Sequence, residues 1–382
     1  MHLGRFHYVV DHLERYFRAS MLVESLNAAA NALEQYTQTR SETHIAEFRS
    51  KLAAGLDASD QVAPELLQPY AQQVIDELGL RTLIPPEVRR SVDSVVALHG
   101  FDSASLSAAI KKLSQSYAAQ IRHVGNLDAS LRGLSAEYTV VDDERAEFGL
   151  ILPRDAVGDK LPDLSKEFDK LSNLVRAVNE LSGQSDYDSS VVTISSSWWQ
   201  IFLEIPVEQV LLWTFAVERI VALFKSNLEI KNLQKQLGER NIPDTILQAI
   251  SGEVDRKIKA ELATIAQDLV ARFNTIADEG RKNEVETQLR QGLHYLARRM
   301  NQGALVELNV GVPEDPEDPE NKEGEEPDRS VLEANQKLRE RIAHLRNLRE
   351  PAMRASETSL QIDREAPLLL EDIKPPADLG GA

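Results

Sequence analysis

Cysteine is absent from this 382-residue chain, which excludes disulfides, cysteine-ligated zinc, iron–sulfur clusters and thiol nucleophiles. That absence fits a reducing compartment. Positive charge is also short: 43 Lys and Arg face 61 Asp and Glu, a net charge of -18. Such a balance repels a polyanion at long range and disfavours nucleic acid as a partner. The N-terminus, Met1-His2-Leu3-Gly4-Arg5, lacks the charged-then-apolar run and small-residue cleavage site of a signal peptide. A cytoplasmic location is expected. Neither a Gly-x-Ser-x-Gly elbow, a phosphate-cradling Gly-rich loop nor a dinucleotide fingerprint occurs, so acyl transfer, nucleotide hydrolysis and hydride transfer have no sequence support.

Apolar side chains still make up 42% of the chain, enough to bury one or two sizeable cores. From Leu3 to Tyr36 they recur every three or four residues (Leu3, Phe6, Val10, Leu13, Phe17 and onward), which predicts one long amphipathic helix. Shorter helices are expected over 43–56, over 64–78 and after Pro85-Pro86, with Gly79 and Gly100 as stops. Asp102 has the chemistry of an N-cap, with Phe101 and Leu106 spaced as a hydrophobic staple, for a helix in which Gly125 and Gly133 are soft points.

The pattern then shifts. Glu137–Val141 and Glu147–Leu152 flank the polar turn Asp142-Asp143-Glu144-Arg145 and read as a β-hairpin. A helix through Phe168 and Leu181 ends at Gly183, followed by strands at Ser190–Ile194 and Trp199–Ile205, with Ser195-Ser196-Ser197 as the bend between them. Residues 304–310 can return as a further strand. The expected fold is mainly α (α+β), with long amphipathic helices and a small, mostly antiparallel sheet inserted in the centre.

A helix is expected over 206–237. The following stretch to about Gly303 carries a stripe from Leu247 to Ile276 at about 3.6 residues per step, close to a straight helix packed on a core. Gly280 and Gly292 are the expected points of a break or kink. Residues 313–328 hold nine acids against Lys322 alone and read as a solvated linker. Beyond it, 330–354 is helical and net basic, with Arg339 and Arg346 among residues that suit docking on an acidic surface, and Leu368, Leu369 and Leu370 open a short apolar–acidic peptide fit for a groove. The expected division is a helical domain (1–134), a mixed domain (135–311), the linker (312–329) and a tail (330–382).

Candidate chemistry is sparse. Arg5 with His12, and Arg339 with His344, have the spacing of a phosphate-steadying cation and a proton-moving imidazole, but chance gives about two such pairs in this composition. Asp186 and Asp188, like Asp142-Asp143-Glu144, fall at turns where Asp bonds its own backbone. His7 and His12 are five apart rather than the four of a helical zinc pair, and His123 and His294 have no second His nearby. No catalytic, metal or cofactor residue is assigned. The three Trp, Trp198, Trp199 and Trp213, lie in an apolar stretch, 198–224, interrupted by Glu204, Pro206, Glu208, Glu218 and Arg219. Those interruptions favour a core strand and core helix, with a membrane or partner contact as the other use of the three Trp. The leading expectation is a non-enzymatic interaction or scaffold protein with a protein partner or self-association. The alternatives are a membrane-associating effector and a cryptic hydrolase or nuclease.

Overall fold

A computed structural model describes residues 3–100, 102–136, 145–158, 160–185, 189–195, 199–238, 244–313, 315–316 and 329–364. The chain divides into two compact units, Met1–Thr139 and Val140–Ala382. The first is helical: α1 (Leu3–Ser20), α2 (Leu22–Thr39), α3 (Glu42–Ser59), α4 (Pro64–Leu67), α5 (Pro69–Glu77), α6 (Glu87–His99) and α7 (Ser103–Gly133). The second holds β1 (Arg145–Leu152), α8 (Arg154–Val157), α9 (Leu161–Leu181), β2 (Val191–Ser195), β3 (Trp199–Pro206), α10 (Val210–Gly238), α11 (Asp244–Phe273), α12 (Glu279–Asn301), β4 (Leu305–Val310) and α13 (Arg329–Arg364). The architecture is mainly α with one four-stranded antiparallel sheet, as the patterning predicts.

In the first unit the single helix expected over 3–36 is two helices. Met21 adopts a left-handed conformation, φ 45°, and its carbonyl accepts from the Ser25 N–H at 3.0 Å. Neither Gly nor Pro marks this break. A non-glycine residue in that conformation costs about 1–2 kcal/mol, offset where α2 packs its Leu22, Leu26, Ala29, Ala30 and Leu33 against α3 and α7. Asp102 caps α7 as expected, its carboxylate accepting from the Ala104 and Ser105 N–H groups. Phe101 lies outside the described residues, and α7 runs through Gly125 to end at Gly133.

In the second unit the sheet order is β2-β3-β1-β4. The expected hairpin is not the pairing of β1: its two edges are taken by β3 and β4 over Ala146–Ile151, and Glu137–Val141 lie outside the described residues. Alternation sends Phe148, Leu150, Ile201, Leu203, Val306 and Leu308 to one face, where α9 to α13 complete the core. Gly149 serves the other face: a Cβ there would sit 2.3 Å from the Phe202 ring.

The break expected at Gly280 or Gly292 falls instead at Asn274–Asp278. There the Asn274 side chain bonds both backbone groups of Ile276 at 3.0 Å, Thr275 is tied to the Leu181 carbonyl, and Asp278 caps α12. Gly292 is buried mid-helix because α12 runs tight against α9; a Cβ would lie 2.5 Å from Leu174 Cδ1. Of the stripe, Ile258, Leu262, Ile265 and Leu269 are buried on α11, and Ile276 lies beyond the helix end.

The helix α13 closes one edge of the sheet. Ser356 Oγ accepts from the Leu308 N–H at 3.0 Å and Ser359 Oγ from the Val306 N–H at 3.1 Å, so two outward donors of β4 are met by hydroxyls three residues apart on one helix. Ile342, Leu345, Leu348, Ala352 and Ala355 bury the same face of α13.

Candidate functional site

The opposite edge, β2, has no such cover among the described residues. Val191, Val192 and Ile194 are exposed at 53%, 43% and 50%. A β-bulge between Val191 and Thr193 adds local twist. Alongside, a groove of about 320 Å³ runs between α9 and the β2–β3 edge. Phe168, Leu171 and Val175 of α9 form one wall, and Val191, Ile201 and Leu203 the other. Helical spacing of 3, 4 and 7 brings the α9 side chains to one wall, and strand pairing sets Val191 opposite Leu203. Polar groups ring this apolar floor. Arg176 stands exposed at the rim with no ion pair among the described residues, and Ser189 Oγ is buried there without a hydrogen-bond partner among them. At the base Asn179 Oδ1 accepts from Gln209 Nε2 at 2.9 Å. The arrangement can take an extended segment along β2 with a side chain in the groove.

A second cavity, about 460 Å³, opens between α11 and α12, lined by Lys259, Leu262, Ala263, Arg290, Gln291 and His294. Burial, then Lys259 and Arg298, hold the His294 imidazole below its usual pKa range.

Two charged networks serve packing. Arg299 of α12 grips Glu167 of α9 through Nε, at 2.8 Å, and Nη2, while Nη1 donates to the Ala156 carbonyl and Gln302. Burial pushes the Glu167 carboxyl up, and the hydrogen bonds and charge of Arg299, with Lys170 and Tyr295, outweigh it and leave the carboxyl below the usual range. On the sheet face away from the core, Asn309 Nδ2 donates to Glu147 Oε2 at 3.1 Å and Glu307 Oε1 at 2.8 Å, holding two buried acids on neighbouring strands.

The residues singled out from the sequence are dispersed. Trp213 is 1% exposed, its ring 4.2 Å from Phe148, and presents no surface to a membrane or partner, because helix periodicity turns it onto the sheet. Trp199 is half-buried against the same core, and Trp198 lies outside the described residues. Arg346 pairs with Asp315 at 2.8 Å and Arg339 is exposed on α13; Leu368, Leu369 and Leu370 lie outside the described residues. His12 bonds the Tyr8 carbonyl while Arg5, buried, lies over the Tyr70 ring, so the two do not converge. His7 bridges Ala136 O and Asp128 instead. Asp186, Asp188 and Asp142-Asp143-Glu144 lie outside the described residues. Among the described residues no group of three or more His, Asp or Glu is placed to hold a metal, and no helix is long and apolar enough to cross a membrane.

The groove went unread in the sequence because its walls come from segments some twenty residues apart whose pairing register decides which side chains meet. The β-branched run Val191–Ile194 is the one local signal. The chain matches no known protein family, no curated protein and no solved structure.

Proposed function

We propose that this protein is a non-enzymatic interaction module that binds an extended peptide by strand addition to β2. The observation that carries this reading is the contrast between the two sheet edges: α13 covers β4 with two serines, whereas β2 is uncovered among the described residues and apolar beside a groove. An exposed strand edge supplies main-chain hydrogen bonds, and a neighbouring pocket supplies side-chain selectivity. The bulge limits pairing to a short segment, which suits a peptide better than continuous sheet growth. Arg176, lacking a counter-charge among the described residues, selects a peptide with an apolar side chain for the groove and a carboxylate beside it.

A displayed library of random peptides, panned on the full-length chain, tests this. Enriched sequences are expected to alternate apolar residues with Asp or Glu. Synthetic versions should bind the Arg176→Glu chain about tenfold more weakly, or ~1.4 kcal/mol, and the Ile194→Lys chain weaker still. Both positions are exposed, so the variants keep the fold. No enrichment, or equal binding by wild type and both variants, would sink the proposal. A concentration-dependent dimer lost in Ile194→Lys would replace the peptide with a second copy of the chain.

A further inference from the structure

Elsewhere in the second unit several cations have carboxylates, the buried Arg299 with Glu167 and the exposed Arg281 and Arg354 with Glu180 and Glu218. The cavity between α11 and α12 brings cations together in another way. Lys259 projects from α11; Arg290 and His294, one helical turn apart, project from α12. The three make no ion pair among the described residues, and the described lining of the cavity holds no acid. Leu262, buried, and Ala263 form an apolar floor between them. Lys259 and Arg290 are exposed and His294 is half-buried, so an anion entering the cavity meets positive charge from both helices in a chain that is acidic as a whole, with 61 acids against 43 bases. The volume, about 460 Å³, is within the range of small-ligand sites, which pair apolar walls with a few convergent polar groups.

We infer that the α11–α12 cavity binds a small organic anion, its phosphate or carboxylate held by Lys259, Arg290 and His294 and its apolar part resting on Leu262 and Ala263. This site is separate from the β2 groove and stands whether or not that groove takes a peptide. Lysine gives a point charge and arginine a planar fork, so the pair suits a tetrahedral or planar anion approached from two sides. His294, whose imidazole faces Lys259 and Arg298, gains a hydrogen-bond acceptor and a compensating charge when the anion enters.

Octyl phosphate, titrated into the full-length chain by calorimetry, is the probe. Octanol and inorganic phosphate separate the apolar from the charged half, and phosphatidylserine vesicles separate a free anion from a lipid surface. Saturable octyl phosphate binding is expected, with affinity about tenfold lower for Lys259→Gln/Arg290→Gln and lost in Ala263→Trp, which fills the cavity while keeping its charges. The His294 Cε1–H resonance, assigned with His294→Gln, should titrate at a higher pH once octyl phosphate is bound. Circular dichroism checks that each variant is folded. The inference is overturned if octyl phosphate fails to saturate below about 1 mM, if octanol binds as well, if both variants bind like wild type, or if vesicles bind and octyl phosphate does not.

Discussion

Replacing Arg299 by Met is expected to destabilise the second unit by about 3–5 kcal/mol, read from the midpoint of chemical denaturation. The guanidinium is 9% exposed and the Glu167 carboxylate it neutralises 3% exposed, so removing it leaves a buried charge without a partner. Lys170, 3.4 Å from Glu167 Oε1 and half exposed, replaces little of that pairing. The double substitution Glu167→Leu/Arg299→Met should recover most of the loss, because apolar groups of similar volume need no counter-charge. The pH dependence has a definite sign. In the native chain Glu167 titrates below the usual carboxylate range, so its contribution is complete above the unfolded value and is lost as pH falls through the lowered folded one. In Arg299→Met burial is opposed only by Lys170 and Tyr295 and the carboxyl accepts a proton more readily, so the penalty should shrink on acidification. A penalty under about 1 kcal/mol at neutral pH would mean that water reaches the pair.

Trp213→Ala is expected to cost a similar amount, about 3–5 kcal/mol. The indole is among the largest fully buried side chains and stacks at a tilt on Phe148, across the interface of α10 and β1. Truncation removes its apolar burial and leaves a cavity bounded by the sheet, which pairs rigidly and closes poorly around a void. Trp213→Phe should restore more than half of the loss. Trp199→Ala, at a half-buried position, should cost clearly less. Equal, small effects for Trp213 and Trp199 would contradict a core role and favour a surface role for the Trp-rich stretch.

Much of the fold was legible in local chemistry. The Asp102 cap, the α9 and α11 stripes and the strands Val191–Ser195, Trp199–Pro206 and Leu305–Val310 follow from capping geometry and from periods of 3.6 and 2, which depend on neighbours a few residues away. The break at Met21 was not legible, since no residue there weakens a helix, and packing of α2 on α3 and α7 selects it. Gly292 misled for the complementary reason. Its low helix propensity was the visible signal, while the close approach of Leu174 that demands it lies on another helix.

By itself, then, the sequence determined the mainly α character, the small antiparallel sheet, the absence of cysteine chemistry and most element boundaries, because these depend on composition and short-range spacing. Only the tertiary structure decided the order β2-β3-β1-β4, the cover of β4 by Ser356 and Ser359, the apolar β2 edge with its groove, and the meeting of Lys259, Arg290 and His294 around one cavity. Each of these joins side chains from different elements, and their meeting is set by strand register and helix packing rather than by distance along the chain.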